Sequence, residues 1–496
     1  MTKFSSGTDW TFSDIERAHD HIEQIARDLF GLEVYRPQIE IIHSEQMLDA
    51  YCSSGMPISY PHWSYGKAFV REHTNYRQGR MGLAYEIVIN SNPCIAYLME
   101  DNTMAMQCLV IAHACYGHNA FFRNNEQFKQ WTDADTVIEY LAYAREFVLE
   151  CEEKYGVEAV ERILDAAHAL SMNSIDRYKR PADKTKAAVE QAKRERRDYE
   201  HAQFNDLWRT IPPTEGAGVG ESDGYSTAID PEENLLFFIE TYSELLDPWQ
   251  RELLNIVRRM SQYFYPQMQT KIMNEGFATF VHYHIVNEMH NRGLVDDGFM
   301  LEFLASHTAV VRQPSYARIN PYALGFSMFQ DIKRICEQPT AEDREWFPAM
   351  AGSGDWVSAV KFAAYNFKDE SFIQQYLSPK VIRDMKLFSI NDDSRNPSYV
   401  KVTHIHDDVG YRNVRDILAH QTNVNNAIPC IEVVDYRKRT DRAVSLRHIS
   451  YDGRTLHTSS ALQTLDKFKQ LWGYDATLCT VAHDDGRLLK RYQTVD

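Results

Sequence analysis

Apolar positions in the N-terminal stretch recur in helical register at Ile15, Ile22, Ile25 and Leu29, which predicts an amphipathic helix over 14–30. Ser13 and Glu16 have the spacing of a capping box, and Gly31 reads as the stop. Residues 83–89 predict a short buried strand, closed by the turn-like Ser-Asn-Pro at 91–93. The segment 104–122 is apolar on almost every side and predicts a buried helix. Helical patterns follow over 134–155 and 158–172, parted at Gly156, and again over 232–246, 249–264, 268–292 and 297–311, with Gly293 capping the third of these.

Two stretches interrupt this texture. Residues 180–203 are dense in charge and poor in large apolar residues, the pattern of a solvated helix or excursion. Residues 211–230 carry prolines, glycines and acids and read as an exposed loop. Beyond about 395 the pattern turns to strands at 430–435 and 442–449, a helix at 461–472, and strands at 476–482 and 487–494 around His-Asp-Asp-Gly-Arg. The fold class expected is α+β: a mostly helical body with a short buried strand region, and a small C-terminal α/β domain. The parts expected are 1–179, 180–230, 231–395 and 396–496, with no internal repeat.

Composition narrows the function. The chain has 496 residues, 44% hydrophobic and 25% charged, enough for a large core without disulfides. A net charge of −17 repels phosphate backbones, so neither nucleic acid nor an anionic membrane is an expected partner. The eight cysteines include no C-x-x-C pair and sit mostly in apolar runs, as reduced buried thiols do. The opening residues lack a signal-peptide pattern, and no apolar run reaches the ~18 residues of a membrane span. Together these predict a cytoplasmic protein.

Candidate chemistry gathers in two helical blocks. His113 and His118 interrupt the apolar run Leu-Val-Ile-Ala-His-Ala-Cys-Tyr-Gly-His-Asn, with Asn119 beside them. A spacing of five turns the side chains about 140° apart on an ideal α-helix, so one ion is reached only if the helix is distorted, for which Gly117 is the candidate. Glu275 lies in the apolar block Asn-Glu-Gly-Phe-Ala at 274–278, where an unpaired carboxylate is costly, so it requires a cation, a metal or a hydrogen-bond network. His282 follows on nearly the same face, and Asn274 adjoins the carboxylate. His62, Glu86, His168 and His307 are further pocket candidates and Tyr322 is a candidate donor to an oxyanion, each alone more readily a core or capping residue. There is no P-loop, no G-x-G-x-x-G and no G-x-S-x-G.

The Asn-Glu-Gly-Phe-Ala block and the His-Ala-Cys-Tyr-Gly-His-Asn block resemble the two helices of gluzincin-type zinc peptidases. That likeness implies zinc or another divalent transition metal held by His113, His118 and Glu275, with His282 or another pocket residue as base and Tyr322 at the oxyanion. The chain departs from the pattern twice. Ala114 stands where the base glutamate belongs, and the histidines are one residue too far apart.

Longer blocks resemble the SpoVR (stage V sporulation protein R) family. They are 38–51, 55–67, 81–122, 247–284, 319–326, 367–384 and 410–421, spread over nearly the whole chain. The resemblance implies a bacterial protein linked to spore-cortex formation, and more widely to stress and stationary-phase physiology. It also implies a PrkA-like serine kinase and a von Willebrand-factor-A-like protein as partners. Two functions stay open: a metal-dependent hydrolase of amide or peptide-like bonds, and a non-catalytic regulatory or scaffold protein working with those partners.

Overall fold

A computed structural model describes residues 3–53, 59–77, 86–178, 231–315, 317–388, 390–392, 400–402, 405–438, 440–451 and 453–493. The charged stretch at 180–203, the loop at 211–230 and residues 83–85 of the expected strand lie outside the described residues. The chain divides into two compact units, Met1–Glu161 with Tyr263–Ile428, and Arg162–Gln262 with Pro429–Asp496. No described helix is long and apolar enough to cross a membrane.

The first unit opens with α1 (Phe12–Phe30), whose apolar stripe buries Ile15, Ile22 and Ile25 as the pattern predicts. Its capping box is Thr11 with Asp14, not Ser13 with Glu16: residues 11–14 offer the same spacing two positions earlier, and Gly31 ends the helix in the left-handed region. Then come β1 (Pro37–Ile42), α2 (Ser44–Cys52), α3 (Trp63–Arg77), β2 (Glu86–Ile89) and β3 (Cys94–Met99). They form a three-stranded sheet ordered β1-β3-β2, with β1 parallel and β2 antiparallel to β3.

The apolar segment that follows is not one regular helix. It runs as α4 (Met104–Ile111), a π-helical turn (Ala112–His118) and α5 (Asn119–Asn124). Next are α6 (Glu126–Trp131), α7 (Val137–Tyr155) and α8 (Val157–Leu170), then α9 (Leu235–Tyr242) and α10 (Pro248–Gln269). The centre of the first unit is α11 (Lys271–Asn291), which packs chiefly against the π-turn and a later helix, α13 (Pro321–Glu337); α12 (Asp297–Val310) lies between them in sequence. Phe277 and Phe280 of α11 are fully buried, each contributing roughly 1.5–3 kcal/mol of hydrophobic stabilisation. Gly276 and Gly325 let α11 and α13 meet backbone to backbone: a Cβ on Gly276 would lie 2.4 Å from the Gly325 backbone.

The first unit continues with α14 (Ala341–Trp346), α15 (Trp356–Asn366), α16 (Asp369–Tyr376), α17 (Pro379–Asp384), the short pair β4 (Ile390–Asp392) and β5 (Val400–Val402), α18 (Asp408–Thr422) and α19 (Val424–Ala427). Helix α18 belongs here, although the sequence groups it with the C-terminal part. Arg415 of α18 lies over Trp346 at 4.6 Å and donates to the Leu377 carbonyl at 2.6 Å, which ties the helix to this body.

The second unit holds α9 and the C-terminal β6 (Ile431–Tyr436), β7 (Val444–Ser450), α20 (Thr458–Trp472), β8 (Ala476–Ala482) and β9 (Leu488–Tyr492). The sheet order is β6-β7-β8-β9: two antiparallel hairpins joined by a parallel β7–β8 pair, with α20 as the crossover. Trp472 fills its core beside Phe238 at 5.1 Å and Tyr436 at 5.2 Å, and its ring nitrogen donates to the Arg442 carbonyl at 2.9 Å. The fold is α+β.

Candidate metal centre

The π-turn resolves the spacing of the two histidines. In a π-helix the backbone bonds run from residue i to i+5 and the turn is wider, so side chains five apart come round to nearly the same face. The Asn119 N–H donates to the Ala114 carbonyl, five residues back, and His113 and His118 bring their ring centroids to 4.6 Å. The distortion expected at Gly117 is therefore a change of helical period over the whole turn. Gly117 itself serves packing, since a Cβ there would meet Ala278 of α11.

Helix α11 supplies Glu275 opposite the histidine pair. Glu275 Oε2 lies 3.5 Å from His118 Nε2 and 3.8 Å from His113 Nε2. Glu86, at the start of β2, brings Oε1 to 3.3 Å from His113 Nε2. One donor atom each from Glu86, His113 and His118 fall within 4.8 Å of one another. Two donors about 2.1 Å from a tetrahedral ion lie about 3.4 Å apart, so these spacings suit a single divalent cation. Both carboxylates also keep a buried oxygen, Glu86 Oε2 and Glu275 Oε2, without a hydrogen-bond partner among the described residues. A buried carboxylate oxygen in that state is costly, and a cation would satisfy it.

Neighbouring groups orient the cluster. The Asn274 Oδ1 lies 2.9 Å from His118 Nδ1, so Nδ1 carries the proton and Nε2 presents its lone pair to the cluster. His113 Nδ1 lies 2.9 Å from His282 Nδ1, and His282 Nε2 lies 3.0 Å from His307 Nδ1. His282 thus stands behind His113, at the ring nitrogen facing away from the carboxylates. That position places it to hold His113, while Glu86 faces the cluster. Tyr322, at the start of α13, is close enough to Glu275 to help hold its carboxylate ionised.

The remaining candidates have other surroundings. Asn119 is fully buried and pins the backbone of Tyr35, accepting from its N–H and donating to its carbonyl, both at 2.8 Å. His62 precedes α3, with Ser64 Oγ at 2.6 Å from its Nδ1 and its ring against Trp63 and Tyr65. His168 belongs to the second unit. One residue was missed. Asp369, at the start of α16, accepts from the backbone N–H groups of Ile272 at 2.8 Å and Met273 at 2.9 Å, capping the helix that carries Glu275. In sequence it reads only as the first acid of its own helix.

Burial sets the protonation of the cluster. It pushes His118 down to about 4, helped by the charge of His113, so His118 is a neutral donor. Burial also pulls His113 down, but the Glu86 and Glu275 carboxylates outweigh it and hold His113 above its ordinary value. Glu86 is pushed up to about 7 by burial, against the pull of His113. Glu275 stays below the usual carboxylate range because His113, His118 and Tyr322 outweigh its burial. Burial keeps His282 and His307 neutral and raises Tyr322, which stays a donor.

Comparison with known proteins completes the picture. A family model described as "SpoVR like protein" matches residues 9–427, and one described as "SpoVR-like C-terminal domain" matches 429–483. The step between them falls where the structure passes from the first unit to the last segment of the second, at Ile428 and Pro429. The Escherichia coli (strain K12) protein named "Uncharacterized protein YcgB" is 51% identical over 483 residues, covering 96% of this chain and 94% of its own. No solved structure matches. With both family models placed end to end and a relative matched over nearly its full length, the chain belongs to the SpoVR family.

Proposed function

We propose that the protein is a metal-dependent hydrolase of amide or peptide-like bonds, with zinc or another divalent transition metal held by His113, His118 and Glu275. The observation that carries this reading is the convergence of two histidine Nε2 atoms and a glutamate oxygen at 3.5 and 3.8 Å, beside a second carboxylate at 3.3 Å. Bound there, such an ion supplies Lewis acidity toward a carbonyl and lowers the pKa of water. Glu86 takes the base role that Ala114 leaves empty: it reaches the cluster from β2, and its Oε2 has no competing hydrogen bond among the described residues. Tyr322, whose hydroxyl acts on Glu275, supplies the donor to developing negative charge. His113→Ala and Glu275→Ala test the reading. Stoichiometric metal in the wild type, lost in both variants, supports it; less than ~0.1 equivalent in the wild type after reconstitution removes it.

A second reading is favoured by Ala114 itself, which departs from the peptidase pattern. In that reading the chain is a regulatory or scaffold protein of stress or sporulation physiology, acting with a PrkA-like kinase and a von Willebrand-factor-A-like protein in the cytoplasm. Co-purification from cells expressing all three is its test, and recovery of neither partner counts against it.

A further inference from the structure

We infer that His307 is a positioning residue for this centre, acting through His282 to fix the ring and tautomer of His113; the inference rests on the metal reading above. The geometry leaves one arrangement of protons. An ion on His113 Nε2 occupies that lone pair, so the ring proton sits on Nδ1. His282 Nδ1, 2.9 Å away, must then accept it. The proton of His282 is left on Nε2, 3.0 Å from His307 Nδ1, which accepts in turn. Two hydrogen bonds, each donated outward from the cluster, follow from one ligand atom.

His307 is built to hold the end of this chain. Its ring is buried at 5% exposure near the end of α12, between Tyr283 at 4.9 Å, Phe326 at 4.9 Å and Phe303 at 5.8 Å. The aromatic walls fix the plane of the ring, and so the direction of Nδ1. Without an acceptor there, His282 Nε2–H becomes a buried donor with no partner. The other tautomer of His282 removes that defect, but it turns a donor toward the His113 Nδ1–H. Either way His113 loses the bond that orients it.

The test uses the full chain stripped of metal and titrated with cobalt(II), read by its visible absorption, then with zinc in competition. His307→Leu removes the acceptor; His307→Asn places a carbonyl oxygen close to the position of Nδ1. The expected result is a 10–100-fold weaker affinity for His307→Leu and recovery to within about threefold of wild type for His307→Asn. Equal affinity in wild type and His307→Leu overturns this inference alone. An equal loss in both variants also overturns it, because packing would then be the cause. A wild type that binds no metal overturns the metal reading and this inference with it. Should His307→Leu fail to fold, the nitrogen-15 shifts of His307 in the zinc-loaded wild type decide: a proton on Nε2 is expected, and a proton on Nδ1 refutes the chain.

Discussion

Gly117 and Ala278 meet across the candidate centre with no room for a side chain between them: a Cβ on Gly117 would lie 2.6 Å from the Ala278 Cα and 2.7 Å from its Cβ. This contact sets the separation of the π-turn, which carries both histidines, from α11, which carries Glu275. Gly117→Ala forces the two elements apart. The expected outcome is a stability loss of about 2 kcal/mol or more, seen in urea unfolding, with metal affinity falling in parallel.

Asn274 controls His118 through one hydrogen bond. Asn274→Leu frees the ring to turn and to carry its proton on either nitrogen. Metal affinity is expected to fall 10–100-fold while the melting temperature changes little; Asn274→Asp, which keeps an acceptor, is expected to retain tight binding. Metal titration beside thermal melts of both variants checks this.

Glu86→Gln separates holding the ion from using it. The amide fits the same space but cannot take a proton, so metal content is expected to stay within a few-fold of wild type while hydrolysis of an amide substrate falls at least ~100-fold. Loss of the metal in this variant would make Glu86 a ligand rather than a base.

Away from the centre, Asp343 and Arg334 form a paired contact of 2.6 and 2.8 Å, and Thr340 donates its N–H to the same carboxylate at 2.8 Å. Burial pushes the Asp343 carboxyl up, but Arg334 and Thr340 outweigh it and hold it below its ordinary value of 3.8. A lowered folded-state pKa means the stabilisation is full above that ordinary value and is lost as pH falls through the folded one. Asp343→Asn is therefore expected to cost about 3 kcal/mol at pH 7, with a gap to wild type that narrows below about pH 4. Urea unfolding at both pH values measures it.

Much of the fold was legible because periodicity and stop signals are local. The stripe of Ile15, Ile22 and Ile25 and the left-handed Gly31 placed α1, and the alternation at 476–482 gave β8 its bounds. Helix α18 was misgrouped because its attachment depends on Arg415 stacking on a tryptophan distant in sequence. The candidate residues His113, His118, Glu275, Glu86 and His307 were each visible as polar groups among apolar ones. His113, His118 and Glu275 were grouped by resemblance, whereas the places of Glu86 and His307 around them were not legible. A histidine spacing of five argues against a shared ion on a regular helix; Gly117 marked where the helix could distort, but not that the whole turn changes period. Asp369 was invisible as a cap because its partners belong to another helix.

The π-turn has one more consequence. A π-helical period is rarely stable by itself, so the segment 104–124, cut free, is expected to relax to an ordinary α-helix with its two histidines turned away from each other. Only docking against α11 holds them in line. Any ligand that needs both rings therefore binds the assembled body and not its pieces. Its dissociation constant becomes a gauge of tertiary integrity, and a chelator would loosen the same contact that a helix-separating substitution breaks.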